Sequence, residues 1–373
     1  MQKKRPTIKD VARLSGLSLS TVSLVINKRG YVSRETREKV QKIVRDLSYH
    51  PTRSARGLAS KTSGNLGFIL SDYHFSQAEP FYTKIFLGTE FEARNHNYYI
   101  LLTTVGKSFN KAHDVPRFLL ERNVDGVIIA GKVTGKLIDY IDGLGIPIVL
   151  VDYESKKRRH STVVTDNRTG ARMAVQHLLD FGHRSVAFIA GDIEHPSIAE
   201  RFAGYKEVLH EHDIVLDEQL VVVDQPTLWG NDGAEAIETI LRRGKRPTAV
   251  FAANDAMAIG CAKFLRDQGV KIPADMAVVG FDDIEMSSHL EPPLTTVRVL
   301  KEEMGKLAVL RLVDMIRSKS RAVVTTHVPV ELVIRASTMA LPQTIQPEGH
   351  DVQVDEVDTR TSITQVVDTL RYP

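Results

Sequence analysis

Short apolar runs that alternate with longer helical patterns constrain the fold of this chain more than any other feature. The clearest runs are GNLGFIL (64–70), VDGVIIA (124–130), IPIVLVD (146–152), SVAFIAG (185–191), TAVFAAN (248–254) and MAVVGFDD (276–283). A strand that is apolar on both faces must be covered on both faces, which is typical of parallel sheets flanked by helices. The alternation therefore predicts an α/β fold with doubly wound parallel sheets.

The alternation occurs as two consecutive series, which predicts two similar subdomains. We expect further strands at 98–102 and 220–224, and helices at 81–95, 111–122, 134–142, 167–181, 198–212, 231–243 and 255–268. A chain of 373 residues has room for two or three domains with proper cores, so two subdomains leave room for a further small domain.

Residues 7–27 (TIKDVARLSGLSLSTVSLVIN) predict two short helices joined by a tight turn. Thr7 can cap the first helix together with Asp10, in the positions of a capping box. Gly16 suits the left-handed conformation that ends a helix, and Ser18 can cap the second helix. The predicted inward faces carry Val11, Ala12 and Leu14 on the first helix, and Val22, Val25 and Ile26 on the second.

The outward face of the second helix carries small polar groups that can approach phosphates and base edges. These are Ser20, Thr21, Ser23 and Asn27. This arrangement favours a helix-turn-helix whose second helix enters the major groove of DNA. Amphipathic helix pairs also occur in many unrelated folds, so the motif alone leaves both interpretations open.

The distribution of charge favours DNA. Residues 1–62 hold fifteen Lys and Arg against four Asp and Glu, a net charge of +11, so the remainder of a +3 chain carries −8. A strongly basic end on an acidic protein indicates a nucleic-acid-binding segment. Candidate phosphate contacts are Lys3, Lys4, Arg5, Arg29, Arg34, Arg37 and Arg53.

Three further segments carry a resemblance to a known family. VSRETREKV (32–40) predicts a third helix capped by Ser33, LSYHP (47–51) ends it, and TRSARGLA (52–59) follows. Together with the helix pair, this run resembles the lactose/galactose repressor (LacI/GalR) family of bacterial transcription regulators. The similarity extends more loosely from about residue 6 to about residue 340.

The resemblance implies an all-α helix-turn-helix head and a periplasmic-binding-protein-like core with a ligand cleft between two subdomains. The implied division is a head at 1–50, a hinge at 51–62, an N-subdomain at 63–163 and 297–325, a C-subdomain at 164–296 and 326–340, and a tail at 341–373. The chain would cross between the subdomains near 162–166, 290–298 and 322–330. The acidic tail lacks leucine heptads, so we expect it to be mostly disordered and the assembly to be a homodimer.

In the family, hinge helices of two subunits enter the central minor groove of the operator and insert a leucine between base pairs. Leu58 matches that leucine. The expected DNA-binding residues are Thr7, Ser18, Leu19, Ser20, Thr21, Ser23, Leu24, Asn27, Arg53, Arg56 and Leu58. Relatives commonly have an arginine where this chain has Leu24, so we expect an operator half-site that lacks their guanine and prefers thymine.

Ligands of open parallel sheets bind at the carboxyl ends of strands, which selects candidate cleft residues. Tyr73, Asp152, Asn254 and Asp282 lie at such ends, while Asp255 and Asp283 are expected to cap the turns that follow. By resemblance, Arg201 in RFAGY grips the effector, Trp229 packs on it, and Asn254 and Asp282 hydrogen-bond it. Asp152 and Asp166 match more weakly. Each of these residues also has a structural alternative, such as capping, an ion pair or core packing.

The chemistry of the candidate cleft suits a polyhydroxylated ligand, since planar side chains stack on sugar faces and charged groups bind hydroxyls. A phosphosugar, nucleoside or purine remains open, as does the sign of the effect on DNA binding. The whole pattern predicts a regulator, most simply a repressor, that binds double-stranded operator DNA under the control of this effector.

Other classes of protein fit less well. GKVTGKL (131–137) has the wrong glycine spacing for a nucleotide loop, and no nucleophile elbow or metal-ligand spacing accompanies the histidines at 177, 183 and 195. We therefore expect no enzyme activity, no cofactor and no metal. The single cysteine, Cys261, and the missing export signal and membrane span predict a cytoplasmic protein. A transport-type sugar-binding protein without a DNA role is the alternative, and the basic helix pair speaks against it.

Overall fold

The computed structural model describes residues 6–26, 30–49, 62–72, 80–155, 159–223 and 230–338. The strands are β1 (Asn65–Ser71), β2 (Tyr99–Val105), β3 (Gly126–Ala130), β4 (Ile148–Val151), β5 (Ser161–Thr165), β6 (Val186–Ile189), β7 (Val221–Val222), β8 (Ala249–Ala252), β9 (Ala277–Asp282), β10 (Thr295–Val299), β11 (Thr325–Val328) and β12 (Val330–Val333). The α-helices are α1 (Ile8–Ser15), α2 (Leu19–Ile26), α3 (Arg34–Asp46), α4 (Pro80–Asn95), α5 (Arg117–Leu120), α6 (Gly135–Gly143), α7 (Asn167–Asp180), α8 (Pro196–Glu211), α9 (Gly230–Arg242), α10 (Asp255–Asp267) and α11 (Lys301–Ser318), with 3-10 turns at Glu218–Leu220 and Glu285–Ser288.

The three N-terminal helices form a small head with its own core. Val11, Val22 and Val40 are fully buried at its centre, and Val25 and Tyr49 are almost fully buried beside them. Each helix contributes at least one of these side chains, so the apolar faces predicted for α1 and α2 do meet in one cluster.

Two six-stranded sheets form the rest of the described chain. The first has the order β11-β5-β4-β3-β1-β2 and the second β12-β10-β9-β8-β6-β7. All pairings are parallel except that of β10 with β12. The order reverses next to β1 in one sheet and next to β6 in the other, which confirms two doubly wound α/β subdomains.

Helices cover both faces of each sheet, as the apolar runs predicted. In the first sheet, Phe68 packs in the cluster that contains residues of α4 and α11, whereas Ile69 packs in the cluster that contains residues of α5 and α6. A Cβ on Gly88 of α4 would lie 2.0 Å from a backbone oxygen of α11, and one on Gly305 of α11 would lie 2.1 Å from a backbone oxygen of α4. These two glycines therefore allow the two helices to pack backbone against backbone.

Some predicted elements differ from the structure. The helix expected at 111–122 is a single turn, Arg117–Leu120, and the strand expected at 220–224 contains only Val221–Val222. Four strands, β5, β10, β11 and β12, were not predicted as strands. The first three, STVVT, TTVRV and TTHV, are rich in threonine, and a glutamate interrupts the fourth, VELV, so all four lack the continuous apolar runs that marked the others.

The crossings between the sheets also shift the predicted subdomain limits. All of β10 pairs within the second sheet, so the division predicted at residue 297 moves to the link between Val299 and Lys301. All of β11 pairs within the first sheet, so the division predicted at residue 326 moves to the link between Val328 and Val330. The predicted tail at 341–373 lies outside the described residues. Within them, no helix is long and apolar enough to cross a membrane.

Candidate functional site

The helix-turn-helix of the head is fixed by the caps expected from sequence. The backbone N–H and the hydroxyl of Thr7 both donate to Oδ2 of Asp10, at 2.9 and 2.7 Å. These two bonds lower the pKa of the Asp10 carboxyl. Gly16 ends α1 with a φ of 66°, and the Oγ of Ser18 accepts from the Thr21 N–H at 3.1 Å to start α2. Local sequence therefore sets the angle at which α2 leaves the turn.

The outward face of α2 is exposed, as a surface that reads DNA must be. Ser18, Leu19 and Ser20 are exposed, and Thr21 and Ser23 are half-buried. Thr7, at the start of α1, is exposed as well. One inward prediction was wrong: Leu14 is 53% exposed, because Ser15 instead takes the buried position and donates to the Ala12 carbonyl at 3.1 Å.

Leu24 lies at the edge of the head core. Its side chain is 40% exposed and rests against Gly30. The isobutyl group is thus partly used in packing and partly presented to solvent next to Ser20 and Ser23. The other residues predicted to contact DNA, namely Asn27, Arg53, Arg56 and Leu58, lie outside the described residues.

The second candidate site lies where the carboxyl ends of both sheets come together. Two contacts join the subdomains there. Lys132, after β3, pairs with Asp192, after β6, at 2.7 Å. Ser197, at the start of α8, donates to Oδ1 of Asp152, at the end of β4, at 2.9 Å. A seam between the first sheet and the second therefore lies where the ligand cleft was predicted.

Arg201 is the best-anchored residue of this seam. Its side chain is only 4% exposed, and its guanidinium lies 3.7 Å above the ring of Phe281. Nε donates to Oδ1 of Asn167 at 2.8 Å, another guanidinium N–H donates to the carbonyl of Ala253, and Nη2 lies 3.3 Å from Oδ1 of Asp282. The structure therefore brings Arg201 and Asp282 together as a buried ion pair, as a shared role at one site requires.

Lys301 was not identified from the sequence, although it lies next to this pair. It is the first residue of α11, it is 9% exposed, and its ammonium donates to the Asp282 carbonyl. Burial lowers its pKa, and the nearby carboxylates of Asp282, Asp255 and Asp283 partly offset this effect. Lys301 thus joins the strand end of the second sheet to a helix that packs on the first. No sequence signal marked it, because β10, the strand that precedes it, was not predicted as a strand.

Asp152 joins elements from both subdomains. It is 5% exposed, has a φ of 57°, and accepts from the Tyr82 hydroxyl at 2.9 Å as well as from Ser197. Positive φ is uncommon for a residue with a side chain and persists only where neighbours fix it. Tyr82 and Ser197 provide that restraint, and neither was identified from sequence.

Two of the remaining predicted cleft residues cap helices. The Oδ1 of Asn254 accepts from the Met257 N–H at 2.8 Å at the start of α10, and its side-chain amide nitrogen makes no hydrogen bond with a described residue. The Oδ1 of Asp166 accepts from the Thr169 N–H at 3.2 Å at the start of α7. Tyr73 and Trp229 lie outside the described residues.

The structural roles expected for Asp255 and Asp283 hold only in part. Asp255 is fully buried and accepts from the Ile284 N–H at 2.9 Å and from the hydroxyls of Ser287 and Thr296, both at 2.5 Å. Burial raises its pKa to about 6. It fixes the turn after β9, while Asn254 caps α10.

Asp283 does not cap a helix. It binds Arg335 at 2.6 Å and Arg298 at 2.7 Å. Burial would raise its pKa, but these two cations outweigh that effect and lower it.

The described residues Cys261, His177 and His183 have structural roles. Cys261 is fully buried, which raises the pKa of its thiol and makes it inert. His177 and His183 are buried and bind the hydroxyls of Thr338 and Thr248, and burial lowers both pKa values. Within the described residues, no group of His, Cys, Asp and Glu side chains could hold a metal ion.

Known proteins match both the head and the core of this chain. Residues 7–52 match the family described as bacterial regulatory proteins, lacI family, and residues 175–338 match the periplasmic binding protein-like domain. The HTH-type transcriptional repressor PurR of Vibrio atlanticus is 33% identical over 337 residues, which cover 90% of this chain and 99% of that protein. The ribose operon repressor of Haemophilus influenzae is 31% identical over 335 residues, which cover 90% of this chain and 99% of that protein.

Solved structures give the same result across the head and the core. The Lac repressor dimer bound to operator and the anti-inducer ONPF has a TM-score of 0.77 and 30% identity, covering 90% of this chain and all of that one. A complex of the transcriptional regulator CelR with cellobiose has a TM-score of 0.69 and 33% identity, with the same coverage.

Proposed function

Because the chain belongs to the lacI family of bacterial regulatory proteins, we propose that it is a repressor whose affinity for operator DNA is set by a small molecule bound in the seam between its subdomains. One observation carries this proposal. The buried pair of Arg201 and Asp282 lies at the strand ends, in a chain that also presents the exposed face of a helix-turn-helix. A transport-type binding protein would need the first feature and not the second.

The head would read DNA through the exposed face of α2. Leu19, Ser20, Ser23 and Leu24 would lie in the major groove, and Thr7 and Ser18 would approach the phosphates. Helices of this class place the residues near their N-terminus against base edges. Leu24 can contact only the methyl group of thymine or pack within the head, so guanine recognition at this position would be absent.

The effector we propose is a sugar or sugar derivative. Arg201 can donate to one hydroxyl oxygen while Asp282 accepts from its neighbour, so the pair would divide a vicinal diol between them. Asn254 would add its free amide N–H, and Asp152 and Asp166 would line the opposite wall. Trp229 and Tyr73 would supply the aromatic surfaces. Sugar phosphates and nucleosides carry the same diol and remain candidates within this class.

The assembly we propose is a homodimer, which places two heads on a pseudo-palindromic operator. An exposed apolar face supports it. The edge strand β2 presents Tyr99 at 63% and Leu102 at 42% exposure, and α4 presents Phe91 at 52%. An uncovered apolar edge strand is a surface that proteins normally pair or protect. Operator DNA lies on the bacterial chromosome, so binding to it would place the protein in the cytoplasm.

Effector binding would act on DNA through the hinge at 51–62, where Arg53, Arg56 and Leu58 lie in the sequence. A ligand that changes the angle between the subdomains would change the spacing of the two hinges in a dimer. This is coupling between two sites through an element with two arrangements.

A thermal-shift screen of sugars, sugar phosphates and nucleosides tests the proposal, followed by electrophoretic mobility shift with any ligand found. A ligand present at a hundred times its dissociation constant should stabilise the fold by about 2.7 kcal/mol. Nuclease footprinting on genomic fragments separates the two candidate functions. A binding protein without a DNA role would bind its sugar and protect no site.

A further inference from the structure

A cavity lies at the amino ends of the strands of the first sheet, whereas the proposed ligand cleft lies at their carboxyl ends. It has a volume of about 90 Å³, and its walls include Asp142, Arg159, His160, Ser161 and Arg321. Ser161 is the first residue of β5, and Arg321 lies shortly before β11, so the cavity lies at the amino ends of these strands. The cleft residues lie at the carboxyl ends, so the cavity is separate from the proposed effector site.

The side chain of His160 indicates that this cavity binds a ligand, because the described residues give its ring nitrogens no hydrogen-bond partner. It is 9% exposed, and neither ring nitrogen makes a hydrogen bond with any described residue. The nearest carboxylate oxygen, Oδ1 of Asp142, lies 3.7 Å from Nε2, which is beyond hydrogen-bond distance. Buried ring nitrogens without partners are costly, so a bound group with hydrogen-bonding atoms would stabilise this arrangement.

The charged side chains around the cavity indicate that the bound group is negatively charged. Arg159 forms no ion pair or hydrogen bond with a described residue, and Arg321 donates only to the neutral carbonyl of Gly145, at 3.2 Å. Two guanidinium groups without carboxylate partners therefore line the same small space. Guanidinium groups bind oxyanions through pairs of N–H donors.

The single carboxylate in the wall narrows the choice among oxyanions. We propose that this cavity binds a phosphate group in its hydrogen-phosphate form, with Arg159 and Arg321 donating to the ionised oxygens. Asp142 accepts from the remaining P–OH, and one ring nitrogen of His160 hydrogen-bonds to the same phosphate. The cavity, at about 90 Å³, has room for more than one water-sized molecule, which suits one phosphate group. Sulfate carries no proton at neutral pH, so Asp142 repels it.

Titration calorimetry on the full chain tests this site, using inorganic phosphate in a phosphate-free buffer at constant ionic strength. Wild type should bind phosphate and bind sulfate at least about tenfold more weakly, since losing a charged hydrogen bond costs about 1.5 kcal/mol or more. Arg159→Gln and Arg321→Gln should each weaken phosphate binding by about tenfold. Asp142→Asn should remove the preference for phosphate over sulfate.

Both arginines are exposed, so their variants should fold normally, which circular dichroism checks. Arg266→Gln is the matched control, an exposed arginine on α10 of the other subdomain that should leave phosphate binding unchanged. No phosphate binding by wild type would overturn the proposal. So would phosphate binding that survives both arginine variants, which would locate the ion elsewhere. Weaker operator binding by Arg159→Gln, with phosphate binding intact, would assign this arginine to DNA instead.

Discussion

The head and the proposed ligand cleft place their candidate functional side chains in opposite environments. On α2, Leu19 and Ser20 are exposed. The start of this helix is held by the Oγ of Ser18, which accepts from the N–H of Thr21, three residues later. In the cleft, Arg201 is 4% exposed and is held by Asn167, Ala253 and Asp282, which are distant in sequence. The head can therefore change its reading surface with little effect on its fold, whereas the cleft cannot change its central residue without disturbing the core.

This difference separates two kinds of mutational effect. Substitutions on the outer face of the head should alter DNA affinity and leave stability almost unchanged. Substitutions in the cleft should alter ligand binding and stability together, because the groups that would meet the ligand also satisfy one another.

The largest effect is expected for Arg201→Ala. Removing one partner of a buried ion pair leaves the Asp282 carboxylate buried without its guanidinium, which costs about 3–5 kcal/mol. Urea unfolding should show this loss, and effector binding should disappear. The matched control is Arg168→Ala on α7, whose side chain is 48% exposed and pairs with Glu200 and Glu207. Exposed pairs contribute about 0–1 kcal/mol, so equal losses in the two variants would contradict the comparison.

The next effect depends on pH and belongs to Asp255. Its pKa rises from 3.8 unfolded to about 6 folded, so the folded state favours the protonated carboxyl. Its contribution to stability is complete below pH 3.8 and is lost as pH rises through 6, a change of about 3 kcal/mol. Unfolding of wild type and Asp255→Asn, measured from pH 4 to 7, should show this loss in wild type alone. Asp267→Asn, at the exposed end of the same helix, should keep the wild-type profile.

A smaller effect, on specificity rather than stability, is expected for Leu24. Leu24→Arg should introduce a preference for guanine worth about 1–3 kcal/mol at one position of the half-site. Binding selection on random duplexes with wild type and variant measures the change. Recovery by wild type of a half-site with that guanine, unaffected by Leu24→Ala, would show that this residue does not contact a base.

The smallest predicted change is the loss of one helix cap. Ser18→Ala removes the acceptor for the Thr21 N–H and should cost about 1 kcal/mol, seen as faster amide hydrogen exchange in α2. Ser20→Ala, two residues on and exposed, should leave exchange unchanged and weaken operator binding. The reverse pattern would mean that the two serines have been assigned the wrong roles.

The same contrast explains which features could be predicted from sequence. The caps at Thr7, Ser18 and Ser33 depend on residues within three positions, and the structure confirms all three. Leu14 was wrongly predicted to be buried. Leu14 and Ser15 are neighbours at the inner edge of α1, and the buried position belongs to Ser15. Local patterns identify elements reliably and their exact faces less so.

In the proposed cleft, the sequence led to two side chains that pair and gave no sign of the residues that hold them. Strand ends and the RFAGY motif led to Arg201 and Asp282, which do pair. Asn167, Ser197 and Lys301 were missed because each reaches its partner across an interface that only the tertiary fold creates. Asp283 was expected to cap a turn, but it pairs with Arg298 on β10 and with Arg335 just after β12, which only the tertiary fold brings to it.

Coupling between the cleft and the head can be measured by reciprocal titration. Operator affinity of the full chain is measured with and without the ligand found by screening, and ligand affinity with and without operator DNA. Thermodynamic linkage requires both affinities to change by the same factor, which we expect to be about 5- to 150-fold. Arg201→Lys, if it abolishes ligand binding, should abolish both changes. Tight ligand binding that leaves operator affinity unchanged would show that the two sites are not coupled.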